Sequence, residues 1–169
     1  LAVIGLSLIG FNENKMRKLS LNCPHVPGRM ELAGKKNNEA RVYIDFAHTP
    51  DALKNILLEA KLICKGELVV LFGCGGNRDK KKRPLMGRIA EKYSDIALVT
   101  DDNPRYEDAD KIRREIIKKS NKLMNLKNRK NAIKKSITLL KSKDILIIAG
   151  KGHEKYQIIK GKKFPFDDV

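Results

Sequence analysis

Four short runs, Arg41 to Phe46, Leu68 to Phe72, Ile96 to Thr100 and Asp144 to Ala149, each end in a loop built from Gly, Pro, Asp or Asn. The last three are nearly continuous and apolar, a pattern that suits strands buried on both faces of a parallel sheet. Parallel neighbours need a crossover, and helical patterns lie between the runs. Thr49 caps a helix whose first position is Pro50, with Leu53, Ile56, Leu57 and Ala60 on one face and an end near Gly66. Further helices are expected from Pro84 to about Tyr93, from Glu107 to Leu123 and from Arg129 to Lys141. Tyr156 to Ile159 and Lys163 to Phe166, around Lys160-Gly161-Lys162, read as a hairpin at the sheet edge. The fold class is therefore α/β, a Rossmann-like doubly wound, mostly parallel sheet with an antiparallel edge hairpin. Ligands of such sheets bind at the carboxyl ends of the strands, where the loops converge.

Of the 169 residues, those before about Pro27 look like the end of a preceding domain. The chain starts at Leu1, so a piece of a longer protein is expected. Cys23, Cys64 and Cys74 show no C-x-x-C spacing, which argues against a disulfide framework or a zinc site and fits a reducing cytoplasm. Leu1 to Gly10 is apolar but about half the ~20 residues a membrane span needs, and it lacks the basic region of a signal peptide. A buried helix is expected there.

The net charge of +16 raises nucleic acid as a partner. Between Lys111 and Lys143, thirteen lysines and arginines face the single acid Glu115. Ile112, Ile116 and Leu123 recur at helical spacing, as do Ile133, Ile137 and Leu140, so most of that charge belongs on solvated faces. No aromatic residue is interleaved with it to stack bases, and no specific nucleic-acid partner is expected.

The loops carry the chemistry. Pro104 stiffens Asp102-Asn103-Pro104-Arg105, bringing carboxylate, amide and guanidinium into one small space. Such a set suits a zwitterion, Arg105 gripping a carboxylate and Asp102 with Asn103 facing an ammonium. The tetrapeptide alone also reads as an ordinary turn. Gly73 to Pro84 is glycine-rich, yet neither G-x-x-x-x-G-K-[ST] nor G-x-G-x-x-G occurs. Gly150-Lys151-Gly152-His153-Glu154 lets the backbone approach a ligand and adds a carboxylate. Asp45 and His48 share the same sheet edge, and Arg29 lies in a Pro-Gly bend within a linker, Val26 to Glu31.

Taken in order, Pro27-Gly28-Arg29-Met30-Glu31, Asp45-Phe46-Ala47-His48-Thr49-Pro50-Asp51, Gly73-Cys74-Gly75-Gly76-Asn77-Arg78-Asp79, Asp102-Asn103-Pro104-Arg105 and Gly150-Lys151-Gly152-His153-Glu154 resemble the C-terminal domain of the Mur ligases, and its diaminopimelate-adding members in particular. The resemblance covers roughly Val26 to the end. It implies a three-domain, cytoplasmic, monomeric enzyme that uses ATP and Mg2+, with residues 1–27 the tail of the central ATP-binding domain and its linker, and 28–169 the C-terminal domain lacking a last helix. It implies that Arg78, Asp102, Asn103, Pro104, Arg105, Gly150 and Glu154 bind meso-diaminopimelate and that Arg29, Asp45 and His48 contact ATP. No catalytic residue and no metal ligand is expected in this chain; the UDP-MurNAc-dipeptide is a partner of the whole enzyme. Asn77 and Asn128 stand where relatives often have Asp. A non-catalytic diamino-acid-binding module and a basic polyanion-binding protein are the alternative readings.

Overall fold

The computed structural model describes residues 9–20, 26–118 and 120–169. The helix expected over Leu1 to Gly10 lies, except for Ile9 and Gly10, outside the described residues. A helix α1 (Glu13–Ser20) comes first. The main sheet contains β1 (Glu31–Lys35), β2 (Arg41–Asp45), β3 (Leu68–Phe72), β4 (Ile96–Val99), β5 (Met124–Asn125) and β6 (Ile145–Ala149), in the order β1-β2-β6-β3-β4-β5. Only β1 runs antiparallel; β2, β6, β3, β4 and β5 are parallel.

All five residues of β3 and of β6 are buried. Their alternation feeds two cores: Leu68, Val70 and Phe72 point to one face, Val69 and Leu71 to the other. The first face is covered by α2 (Pro50–Ile63), α3 (Lys82–Tyr93) and α4 (Ala109–Ile117), the second by α5 (Arg129–Leu139). The cap of α2 forms as expected, Thr49 accepting from the Ala52 N–H, and Leu53, Ile56, Leu57 and Ala60 are its buried residues.

Register positions the site. Asp45 pairs with Ala149, Leu71 with Ile148, and Phe72 with Val99. The loops after β2, β3, β4 and β6 therefore leave from one edge, although β6 follows β4 by some fifty residues in the chain.

Several expectations change. The stretch from Val26 to Glu31 is no free linker: Gly28 is buried at φ +69°, and a Cβ there would meet the backbone of Gly152 and His153 at 2.4–2.7 Å. The chain then enters β1, whose Glu-Leu-Ala-Gly-Lys sequence shows no alternation and whose pairing is irregular between Leu32 and Gly34. The helix expected from Glu107 begins at Ala109, because the Asp108 carboxylate accepts from the Lys111 N–H, and it ends at Ile117 so that Met124 and Asn125 can pair with β4. Leu123 still packs on the core. The hairpin forms as β7 (Tyr156–Ile159) and β8 (Lys162–Pro165), but it is its own two-stranded sheet, joined to the loop after β4 through an Arg105–Ile159 bridge.

Lysines 118 and 134 are exposed, in line with solvated helix faces, whereas Arg113 and Arg129 of the same basic segment are buried. Arg129 grips Asp168 through two bonds of 2.6 and 2.7 Å and donates to the Ala149 carbonyl at 3.1 Å. Removing one partner of a buried ion pair strands the other. Arg129→Leu should therefore cost about 3–5 kcal/mol, while Lys118→Glu with Lys134→Glu should stay within about 0.5 kcal/mol per site. Urea denaturation of the three proteins measures both.

Candidate functional site

The loops after β2, β3, β4 and β6 enclose a cleft of about 520 Å³. Arg78, Asp102, Asn103, Arg105, Gly150, Glu154 and His48 all line it, together with Asp79 and Lys82. Residues from four loops far apart in sequence are thus brought together, and charges of both signs meet.

Each is held differently. Arg105 sits at φ +54°, a left-handed conformation uncommon for residues other than glycine, and the hairpin holds it there. Its N–H donates to the Ile158 carbonyl at 3.0 Å and its carbonyl accepts from the Lys160 N–H at 2.6 Å. One guanidinium nitrogen, Nη1, donates to the carbonyls of Gly76 and Asn103 at 2.9 and 3.4 Å. One edge of the guanidinium thus fixes the Gly-rich loop and the other faces the cleft. Asp102 accepts from the Asn103 N–H at 2.5 Å, and the Gln157 side chain donates to its carbonyl. Gly150, at φ +114°, makes room for it, since a Cβ there would lie 2.9 Å from Asp102 Oδ2. Arg78 is exposed at the rim.

Asn103 departs from its expected role. Its side chain is buried and spent on the protein: Nδ2 donates to Glu154 Oε2 at 2.9 Å, and Oδ1 accepts from the Ile158 N–H at 3.0 Å and from Lys151 Nζ at 3.2 Å. Both ends of its amide are thus held by protein groups. Pro104 is buried behind the cleft instead of lining it, and its carbonyl accepts from the Glu107 N–H.

Of the three residues expected near a nucleotide, Asp45 is turned inward while Arg29 and His48 stay together. Asp45 is buried, with Oδ1 accepting from the Ala47 N–H at 2.7 Å and Oδ2 from the Met30 N–H at 2.9 Å. It does not line the cleft; its carboxylate closes the turn of its own loop and fixes the start of β1. Arg29 lies outside the cleft with its guanidinium carbon 4.7 Å from the centre of the Phe46 ring. His48 packs edge-on against the same ring at 4.6 Å and its Nδ1 bonds the Phe46 carbonyl. His153, which sequence reading left unassigned, lies 5.5 Å from Phe46. Arg29, His48 and His153 thus gather around one aromatic ring.

Arg83 was missed as well, since in the sequence it is one basic residue in a run of four. It is fully buried, forks onto Glu107 through two 3.0 Å bonds, meets Glu115 at 2.6 Å and donates to the Gly75 carbonyl. A buried arginine needs such partners. It ties α3 to the Gly-rich loop and to the segment after Arg105. The neighbouring Cys74 lines the cleft, but burial pushes its thiol up to about 12, so it stays protonated and inert as a nucleophile. Among the described residues no cluster of three or more His, Cys, Asp or Glu is placed to hold a metal ion.

Fold and cleft place the chain among Rossmann-like α/β domains with a charged cleft at the carboxyl edge of the sheet. Residues 28–152 match the Mur ligase, glutamate ligase domain, family, and the chain belongs to it. It is 46% identical over 171 residues to the UDP-N-acetylmuramoyl-L-alanyl-D-glutamate–2,6-diaminopimelate ligase of Aquifex aeolicus, covering 99% of this chain and 35% of that protein. The ligase of the same name from Rickettsia felis is 49% identical over 173 residues, covering 100% of this chain and 32% of that one. A solved structure of a ligase of that name superimposes with a TM-score of 0.79 at 36% identity, over 99% of this chain and 35% of the other. The chain thus spans about a third of the length of the curated relatives it matches.

Hydrogen bonds from Arg83 hold the Glu107 carboxyl well below its ordinary value of 4.5, at about 2. A depressed folded-state value stabilises the protein above the unfolded value and is lost as pH falls through the folded one. Stability should therefore decline as pH drops from about 4.5 to about 2, and Glu107→Gln should flatten that segment of a stability-versus-pH curve from chemical denaturation.

Proposed function

We propose that this chain is the amino-acid-binding C-terminal domain of an ATP-dependent ligase that adds meso-diaminopimelate to UDP-MurNAc-L-Ala-D-Glu. The observation that carries this reading is the meeting, in one cleft, of three cations, Arg78, Lys82 and Arg105, with three carboxylates, Asp79, Asp102 and Glu154. A diamino, dicarboxylic substrate has two zwitterionic ends and requires both signs at both. Arg105 offers the free edge of its guanidinium to a carboxylate, and Asp102 and Glu154 offer oxygens to an ammonium. Pro104 stiffens the loop from behind, Gly150 leaves space for Asp102, and Asn103 acts through Glu154.

In the whole enzyme ATP phosphorylates the D-glutamyl carboxylate, and the amine delivered by this domain attacks the resulting acyl phosphate. Water must be kept out while that intermediate exists, which domain closure over the cleft provides. This chain meets the nucleotide only at its fringe, through Arg29 and His48 beside Phe46; Asp45 contributes by fixing their loops. In this reading the ATP phosphates and Mg2+ belong to the central domain, of which residues 1–27 are the tail. The chain alone performs no ligation. The reading places the enzyme in the cytoplasm as a monomer; no helix among the described residues is long and apolar enough to cross a membrane.

Arg105→Ala in the full-length enzyme should raise the KM for meso-diaminopimelate with little change for ATP, since a charge-assisted pair in a closed site is worth about 2–5 kcal/mol. An unchanged KM would remove Arg105 from the site. Calorimetry on the isolated chain should show weak binding of meso-diaminopimelate and weaker binding of L-lysine, because an open cleft leaves the charges hydrated. Equal affinity for the two amino acids would overturn the substrate assignment, and ligase turnover by the chain alone would overturn the division of labour between domains.

A further inference from the structure

We propose that Lys151 is a positioning residue for the amino-acid subsite, setting the orientation of the Glu154 carboxylate and of the Asn103 amide; this rests on the functional reading above. Lys151 is fully buried, between Gly150 and Glu154, which both line the cleft. Its Nζ lies 3.2 Å from Glu154 Oε2, 3.2 Å from Asn103 Oδ1 and 5.7 Å from the centre of the Tyr156 ring. Among the described residues it is the only cation within ion-pair distance of Glu154.

Burying an ammonium is costly, and a methionine would fill much the same volume without that cost. Packing therefore does not explain a lysine here; what it adds is charge and directed N–H bonds. An amide side chain has two ends of nearly the same shape, and hydrogen bonding alone decides which way it points. Two donors, Lys151 Nζ and the Ile158 N–H, converge on one end of Asn103 and make it the carbonyl end. The NH2 end is thereby turned toward Glu154 Oε2, which it reaches at 2.9 Å.

Glu154 Oε2 thus receives both internal donors, and Oε1 receives neither, so Oε1 is the oxygen left for a ligand. A carboxylate held by two fixed donors stays in one rotamer, so little ordering of it is left for the ligand's ammonium to bring about. Lys151 touches no substrate in this scheme. It acts through Glu154 and Asn103, from the same strand-to-loop transition that delivers Gly150.

The test uses the full-length enzyme, with wild-type turnover of meso-diaminopimelate and ATP as the control. If the wild type does not add this amino acid, the functional reading fails and the positioning role falls with it; if it does, the variants address Lys151 alone. Lys151→Met should raise the KM for meso-diaminopimelate about tenfold or more and leave the KM for ATP within about twofold. Lys151→Gln, which keeps an N–H donor, should fall between, and the same criteria apply to it where the methionine variant does not fold. Glu154→Gln and the double variant complete a cycle: a residue acting through Glu154 leaves the double variant within about threefold of Glu154→Gln alone. An unchanged KM for the amino acid, a parallel rise in both KM values, or losses that multiply across the cycle would each overturn the proposal.

Discussion

Guanidinium groups withdrawn from water must find partners, and Arg83, Arg113 and Arg129 each take at least one from the carboxyl edge of the sheet, where strands give way to loops. Arg83 joins Gly75, Glu107 and Glu115. Arg113 pairs with Asp101 and Asp110 and donates to Asn125. Arg129 reaches Asp168 and the Ala149 carbonyl. Each arginine belongs to a helix, and each partner set includes the segment in which a strand gives way to a loop. The helices thereby do more than cover the sheet. They fix the positions at which its loops depart, and an error in one guanidinium would leave buried charges unpaired rather than merely loosen a contact.

On that fixed edge, polar groups divide into those consumed by the protein and those left to a ligand. Asp45 and Asn103 spend their side chains entirely or largely on neighbouring backbone and side chains. Arg105 and Glu154 are half spent, each with one side bonded internally and the other turned to the cleft. Arg78 is exposed at the rim. This gradation has a physical consequence: half-engaged charged groups lose little freedom on meeting a ligand, so the ordering cost is met by the fold in advance. The hairpin belongs to the same device, since Ile158 and Lys160 hold Arg105 in its left-handed conformation.

The alternation of apolar runs with capped helical patterns determined the fold class and the edge of the sheet at which the cleft lies. Strands buried on both faces have no polar alternation, and Thr49 followed by Pro50 marks a helix start, so both are written locally. The short motifs likewise marked four of the cleft's loops, because glycine, proline and paired charges are needed at such turns whatever the rest of the chain does. β1 and β5 were illegible: their residues carry no apolar period, and they become strands only because a neighbouring edge offers hydrogen bonds. The insertion of β6 between β2 and β3 was equally invisible, and it puts the loop that carries Glu154 at the same edge as the loop that carries Asn103. Which oxygen of a carboxylate is free, which amide is spent and which lysine is buried depend on partners some fifty residues away in the chain, as with Asn103 and Ile158. Local sequence fixed the kinds of group available at this edge; only tertiary packing, by desolvating some and satisfying others, decided which of them face the cleft.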